Sequence, residues 1–594
     1  MKKIGLLIAL TLAIVPVSLK ASGNHQDYIS LKTMALTGQG NISDQDLLEA
    51  RHEKAGGVTQ DYAATWESHK NPTAQGNALV QNILGVMYHN GLWVTQDYAT
   101  AREWYTKAAE QGFAAAQYNL AGLYNNGRGV TQDYITAREW YLKAATQDYT
   151  LAQFKLGVLY HNGRGVNQDY ITAREWYLKA VKQDYALAQF NLGHLYEDGH
   201  GVTQDYVAAR EWYAKAAEQG FVSAQFNLGI LYEDGHGVTQ DYVTAREWYL
   251  KAAEKNDASA QFKLGFLYNN AHGVTQDYII AREWYLKAAE QGLAAAQINL
   301  GLLYDNGDGV THDYVAAREW YLKAAEKNNA SAQISLGVLY HNGHGVIQDY
   351  ITAREWYLKA AKQGFASAQF NLGILYEGGH GVTQDYAAAR EWYLKAAEQN
   401  DVSAQSNLGL LYHDGRGVTQ DYVAAREWYL KADEQNDASA QSNLGVLYHN
   451  GHGVIQDYVT ARKWYLKAAE QNQALPQYYL GVFYQYGQGV TQDYVAARKW
   501  YLKAAEKNNA FAQSNIGILY EYGRGVTQDY VTARKWYLKS AEQNHLVAQY
   551  NLGLLYHKGR GVTQDYVTAR KWYKKAAAQG HASAKINLGL IDDK

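Results

Sequence analysis

Cysteine is absent from this chain of 594 residues, and proline occurs only three times. Without cysteine there are no disulfides and no lipid-modified thiol, so burial of side chains must supply all the stability. The 3 prolines, set beside 54 glycines, exclude a collagen and a low-complexity chain. No sign of charge dominates, the net being −3, and nucleic acid is not expected as a partner. Long apolar runs are also missing. The one candidate, residues 4–19, is short and broken by Pro16, which makes a poor transmembrane helix.

That run has another reading. Lys2 and Lys3 precede it and small residues, Ala21 and Ser22, follow. A basic head, a short apolar stretch and a small-residue exit describe a secretory signal peptide. Cleavage is expected after Ala21, with Leu19 an imperfect residue two positions before it; an uncleaved membrane anchor is the alternative. Removal would leave no transmembrane span and would place the protein in the periplasm or outside the cell.

What the chain has in excess is tyrosine, 52 of them. Most follow a beat. Val-Thr-Gln-Asp-Tyr or a close variant returns every 36 residues, with its tyrosine at Tyr62, Tyr98, Tyr134, Tyr170 and onward to Tyr566. Self-similarity at a fixed period is the mark of a solenoid, in which each unit touches its neighbours and the array lengthens without enlarging one core.

Residues 223–258 show what one unit contains. Ala224, Leu228, Leu231 and Tyr232 recur at i, i+4, i+7 and i+8, the stripe of an amphipathic helix, here helix A. Gly235-His236-Gly237 breaks it. Asp241 opens a second helix, helix B, as a side chain able to accept from unpaired backbone amides. Ala245, Trp248, Tyr249, Ala252 and Ala253 then share one face, and helix B is expected to end at Asn256. At all fourteen such endings, from Gly112 to Gly580, the residue is Gly, Asn or Asp, the types that tolerate a left-handed backbone. Pro476 falls in the first turn of a helix A, where proline is tolerated. Fourteen of the 16 tryptophans occupy the helix B position, leaving Trp66 and Trp93. Stacking of units is expected to bury these Trp and Tyr side chains. The glycine inside helix A, at Gly85, Gly157, Gly193 and Gly229, costs helix propensity. Close helix approach is its expected reason, and Ala121, the next smallest residue, agrees.

Ala-x-x-x-Leu-Gly-x-x-Tyr, Gly-x-Gly-Val-x-x-Asp and Ala-x-x-Trp-Tyr-x-Lys-Ala-Ala together resemble the Sel1-like repeat, a longer-loop relative of the tetratricopeptide repeat. The resemblance implies an all-α fold, an α-solenoid (right-handed superhelix) of about fourteen 36-residue helix-turn-helix repeats. Many secreted relatives carry a disulfide in each repeat; this chain cannot. The expected organisation is a signal peptide at 1–21, a leader with a degenerate repeat at 22–78, fourteen repeats at 79–582 and a C-terminal capping helix at 583–594.

Three ladders stand out within the beat. Asparagine precedes Leu-Gly in helix A at Asn119, Asn191, Asn227, Asn299, Asn371, Asn407, Asn443, Asn515 and Asn551 (with Ala121 for the glycine after Asn119 and Ile516 for the leucine after Asn515). In the related tetratricopeptide fold helix A lines the concave face, and a carboxamide there suits an extended peptide backbone. The alternative is a polar filler, since Lys155, Lys263 and Tyr479 take the same place. Phe226 and Ile230 mark the other variable positions of that face. Histidine forms a second ladder in the Gly-x-Gly loop, at His200, His236, His272, His344, His380 and His452, with His341 and His449 as companions three residues before two of them. Arginine replaces it at Arg128, Arg164, Arg416, Arg524 and Arg560, so no metal site is expected, and exposed loop histidine is the better reading. The third ladder is a charge switch. Helix B reads Arg-Glu-Trp from Glu103 through Glu427, then Arg-Lys-Trp at Lys463, Lys499, Lys535 and Lys571. Residues 1–450 carry −12 and residues 451–594 carry +9. Pairs such as Glu247 with Lys251 are expected to support the helix, and Lys463 with Lys467 to oppose it. The switch is consistent with block duplication of a drifted unit, or with a basic end that meets an anionic envelope polymer.

No nucleophile, metalloprotease or phosphate-loop motif is present, and any candidate carboxylate has copies in equivalent places. No enzyme and no cofactor are therefore expected. The resemblance suggests an exported bacterial protein–protein interaction scaffold or adaptor, holding a protein or extended peptide on the concave face, in envelope assembly or host-cell interaction. A polysaccharide- or peptidoglycan-binding module is the alternative, and a hydrolase the remote one.

Overall fold

The computed structural model describes residues 76–592, Trp93 excepted. The expected signal peptide and nearly all of the leader lie outside the described residues. Those described fold into twenty-nine α-helices with no strand among them. They fall into two compact units that divide at Trp284 and Tyr285, inside the helix Tyr278–Glu290. In each unit helices A and B alternate, and away from the dividing helix consecutive helices pack against each other.

Local chemistry sets every boundary. Helix A of the representative repeat, Val222–Asp234, ends on Gly235 at φ 71°, and His236 N–H donates back to the Leu231 carbonyl at 2.9 Å. The loop is then pinned: Asp241 N–H donates to the Tyr232 carbonyl at 2.8 Å and Gln240 Nε2 to the Glu233 carbonyl at 2.8 Å. Helix B, Tyr242–Glu254, starts as expected on Asp241, whose Oδ1 accepts from the amides of Val243 and Thr244. Helix B stops two residues earlier than the sequence suggested. Asn256 lies beyond it, in the left-handed conformation at φ 64°. All fourteen Gly, Asn or Asp positions take positive φ, Gly112 and Gly580 included. The last helix, Ala582–Asp592, begins one residue before the expected cap.

The core is made between repeats. Ala209, Tyr213, Ala216 and Ala217 of one helix B pack with Ala224, Leu228 and Leu231 of the following helix A. Tyrosine, rather than tryptophan, is the large buried side chain: Tyr213, Tyr249, Tyr321 and Tyr393 are fully buried. The helix A glycine exists for that ring, since a Cβ on Gly229 would stand 2.5 Å from Tyr249 Cε1. Tryptophan is half-buried at the equivalent sites, apart from the buried Trp572. The lysine three residues on covers its face, as Lys251 Nζ does 3.6 Å from the centre of Trp248. This cation–π contact replaces the expected pair with Glu247: among the described residues no ion pair joins Glu247 to Lys251.

Candidate functional site

Helix A presents one face that is neither core nor fully wet. Its positions follow the stripe of Phe226, Asn227, Ile230 and Glu233, spaced so that they line one side of the helix. All nine asparagines of the sequence ladder lie on it and are half-buried, as are Phe226 and Ile230. Phe226 packs on Tyr249 with ring centres 5.7 Å apart, and both it and Ile230 lean on the neighbouring core cluster. Part of each variable side chain therefore supports the fold, and the remainder faces outward.

The asparagines have partners of several kinds. Asn119 Nδ2 donates to Asn82 Oδ1 at 3.1 Å, across a repeat boundary. Asn191 and Asn299 donate back to the carbonyls of Leu187 and Ala295. Asn227, Asn407, Asn515 and Asn551 meet the buried hydroxyls of Tyr213, Tyr393, Tyr501 and Tyr537 in the helix B before them. Asn371 and Asn443 share the half-buried setting. The ladder thus has a structural duty that the sequence alone does not reveal.

The same hydroxyls expose a further row. Tyr213 O–H donates to Glu197 at 2.6 Å, Tyr393 to Glu377 at 2.6 Å, Tyr501 to Gln485 at 3.0 Å and Tyr537 to Glu521 at 2.7 Å. Tyr249 donates to Glu233, which also accepts from Lys263 Nζ of the next repeat at 2.9 Å. Burial, reinforced by the neighbouring carboxylate, pushes the Tyr249 hydroxyl far above its ordinary range. Histidine fills this row elsewhere. Burial holds His161, His341, His413 and His449 below the usual imidazole range.

The loop histidines are not loose side chains. His200 stacks on Tyr170 of the previous repeat, ring centres 4.4 Å apart and planes 9° from parallel. His236 on Tyr206, His344 on Tyr314, His380 on Tyr350 and His452 on Tyr422 repeat the contact. Arg128, Arg164, Arg416, Arg524 and Arg560 lie over Tyr98, Tyr134, Tyr386, Tyr494 and Tyr530 at 5.4–5.8 Å. Histidine and arginine exchange here because both are flat groups that stack on a tyrosine face. The companions separate: His344 reaches back to Tyr314 while His341 stands edge-on to Tyr350. Among the described residues no group of three or more His, Cys, Asp or Glu side chains is placed to hold a metal ion.

Sequence reasoning missed a buried glutamine. Gln549, 1% exposed, donates to the Ala541 carbonyl of the preceding helix B at 3.2 Å and accepts from Gln579, just past the end of its own helix B, at 2.8 Å. Gln117, Gln189, Gln333 and Gln369 accept likewise from a glutamine 30 residues later. The signal was present, because glutamine fills this place in fourteen helices from Gln81 to Gln549. A polar residue invariant beside a buried stripe is a buried hydrogen-bonding group.

At the basic end Lys463, Lys499, Lys535 and Lys571 are all exposed on helix B. Asp457 and Asp529 are held below the usual carboxylate range, chiefly by the hydroxyls of Thr460 and Thr532, and Lys463 and Lys535 add to this. Lys467 does not simply oppose Lys463, since it pairs with Asp433 at 3.1 Å. No described helix is long and apolar enough to cross a membrane.

A family model described as Sel1 repeat matches fourteen stretches: 78–113, 114–149, 150–185, 186–221, 222–257, 258–293, 294–329, 330–365, 366–401, 402–437, 438–473, 477–509, 510–545 and 546–581. The chain is similar to the solved structure of c5321, a protective antigen present in uropathogenic Escherichia coli strains and displaying an SLR fold. The two are 38% identical over 74% of this chain and 95% of that one, with a TM-score of 0.64. A Sel1 repeat protein from Oxalobacter formigenes is 32% identical over 55% of this chain and 93% of that one, with a TM-score of 0.45. No curated protein sequence matches.

Proposed function

Because the chain belongs to the Sel1 repeat family, whose members generally mediate protein–protein interaction, we propose that it is an exported scaffold holding a protein or extended peptide along its helix A face. One observation carries the reading: a constant framework supports a row, half-exposed at Phe226 and Ile230 and buried at Ser406, that changes from repeat to repeat. Leu228, Gly229, Tyr249 and Gln225 recur nearly unchanged, whereas the place of Phe226 is Ile298 or Ser406 elsewhere and that of Ile230 is His194 or Phe266. Identical contacts everywhere would serve the fold alone, while a varied row on a rigid support is what selectivity for one partner needs.

Export rests on the N-terminal pattern of Lys2, Lys3 and the apolar run after them. The E. coli relative's description as a protective antigen favours the same placement, because antibodies reach exposed proteins. A role in envelope assembly or host-cell contact is the corresponding expectation. No catalytic role is part of the reading.

A photo-crosslinking residue at Asn371, on the helix A face, and another at Glu391, exposed on helix B, test it in envelope and secreted fractions. A discrete crosslinked protein at residue 371 and none at 391 is expected. Equal products at both sites, or none at 371, would remove the helix A face as the binding surface.

A further inference from the structure

The beat breaks hardest in the matched repeats at 477–509, 510–545 and 546–581. At the last position of helix A, eleven earlier repeats carry Asn, Asp or Gly, from Asn90 to Asn450, but here Tyr486 and Tyr522 stand 64% and 60% exposed. Near the helix's other end, where most central repeats have serine, Leu475, Phe511 and Val547 are also exposed. The helices Ala474–Tyr486 and Ala510–Tyr522 approach each other directly, and Phe511 lies 5.8 Å from Tyr478 and 4.8 Å from His545, the residue before the third helix A, between ring centres, so these side chains stand on successive helices A of one unit.

Exposed acid is missing from helix A over the same stretch. Five of the eleven earlier helices A carry acids, among them Asp198, Asp234 and Asp414. In helices Ala474–Tyr486, Ala510–Tyr522 and Leu546–Lys558 the only acid is Glu521, which is buried and accepts from Tyr537. Arg524 is exposed between Tyr494 and Tyr522, 5.7 and 5.4 Å from their ring centres. Exposed Tyr and Arg, set among apolar side chains, are the residue types that anchor protein interfaces.

We infer that the helix A face of these three repeats binds an acidic, extended segment of a protein partner. Its apolar side chains would seat on Leu475, Tyr486, Phe511, Tyr522 and Val547, and its carboxylates would meet Arg524. The inference rests on the helix A face being the binding surface and adds where on that face the partner is held and what its charge is.

The probe is a fluorescein-labelled peptide of twenty residues alternating Glu pairs with Phe or Leu, titrated against the full chain by anisotropy. Control peptides carry Lys for Glu or Ser for the apolar residues, and polygalacturonate serves as competitor. Tyr486→Asn with Tyr522→Asn restores the residue type of earlier repeats, and both sites are exposed, so circular dichroism should show an unchanged fold. The double variant is expected to bind about tenfold more weakly or worse. Arg524→Gln should weaken binding and reduce its salt dependence. Wild-type binding that prefers the Lys peptide, ignores the tyrosine changes, or is displaced as readily by polygalacturonate would overturn the inference. Crosslinking at residue 371 reads a different repeat, so its success beside a failed titration would leave the scaffold standing and remove only this acidic partner.

Discussion

At Ala271 the backbone is left-handed, φ 59°, in the place where the equivalents from Gly91 to Gly559 are glycine. Its helix A, Ala258–Asn269, closes one residue early. A side chain in that conformation costs about 1–2 kcal/mol, partly offset because alanine also restrains the unfolded chain by about 0.4–1 kcal/mol. Ala271→Gly should therefore stabilise this repeat by about 0.5–1 kcal/mol. Slower amide hydrogen exchange around residues 267–272 would register it; unchanged or faster exchange would contradict it. Acid should act at two sets of residues. Burial holds His341 and His413 below the ordinary imidazole value of 6.5, so the unfolded chain takes up the proton first. Stability from these groups is present above pH 6.5 and falls as pH drops through it. Asp241 and Asp349, held below 3.8 chiefly by Thr244 and Thr352, give stability that is lost below that value. Thermal melts at pH 8, 5.5 and 3 should thus fall in two steps. His341→Asn with His413→Asn, the residue type found at Asn125 and Asn269, should shrink only the first, His161 and His449 supplying the remainder; an unaltered first step would assign it elsewhere.

At the scale of one helix, the exposed face of helix B makes less difference than its charge pattern suggests. Lys467 lies near Trp464 and pairs with Asp433 of the preceding repeat, so what stands at residue 463 matters little to it. Lys463→Glu should change stability by no more than about 0.5 kcal/mol, as read from urea unfolding. A larger gain would restore the intrahelical Glu–Lys pair as a real support. Helix identity was legible because apolar period, Asp at the start and Gly or Asn past the end all agree. The exact stop of helix B was not, because Asn256 marks the left-handed residue and not the last helical one. The lysine–tryptophan contact was also missed: three- and four-residue spacings both place a partner on the lysine, and ring geometry decides between them.

For the whole molecule the repeat behaves as the unit of deletion. Removing 366–401, one complete match, would join Phe365 to Val402, an N-cap residue to a helix A start equivalent to its own. Helicity per residue should survive, with stability reduced in an increment, because interactions run mainly between neighbours. Circular dichroism and gel filtration would show it, with deletion of half a repeat as the control that misaligns every later helix. Loss of fold in both would mean that the repeats are not interchangeable. The sequence by itself determined the period, the helix pairs, their left-handed endings and the family, since each depends on local spacing and backbone preference. Only the tertiary structure decided that asparagine serves a tyrosine hydroxyl, that histidine and arginine stack on the previous repeat, and that glutamine bridges two helices B. Those contacts join groups 8 to 30 residues apart, and the turn of one repeat against the next, which sets them, leaves no periodic mark of its own.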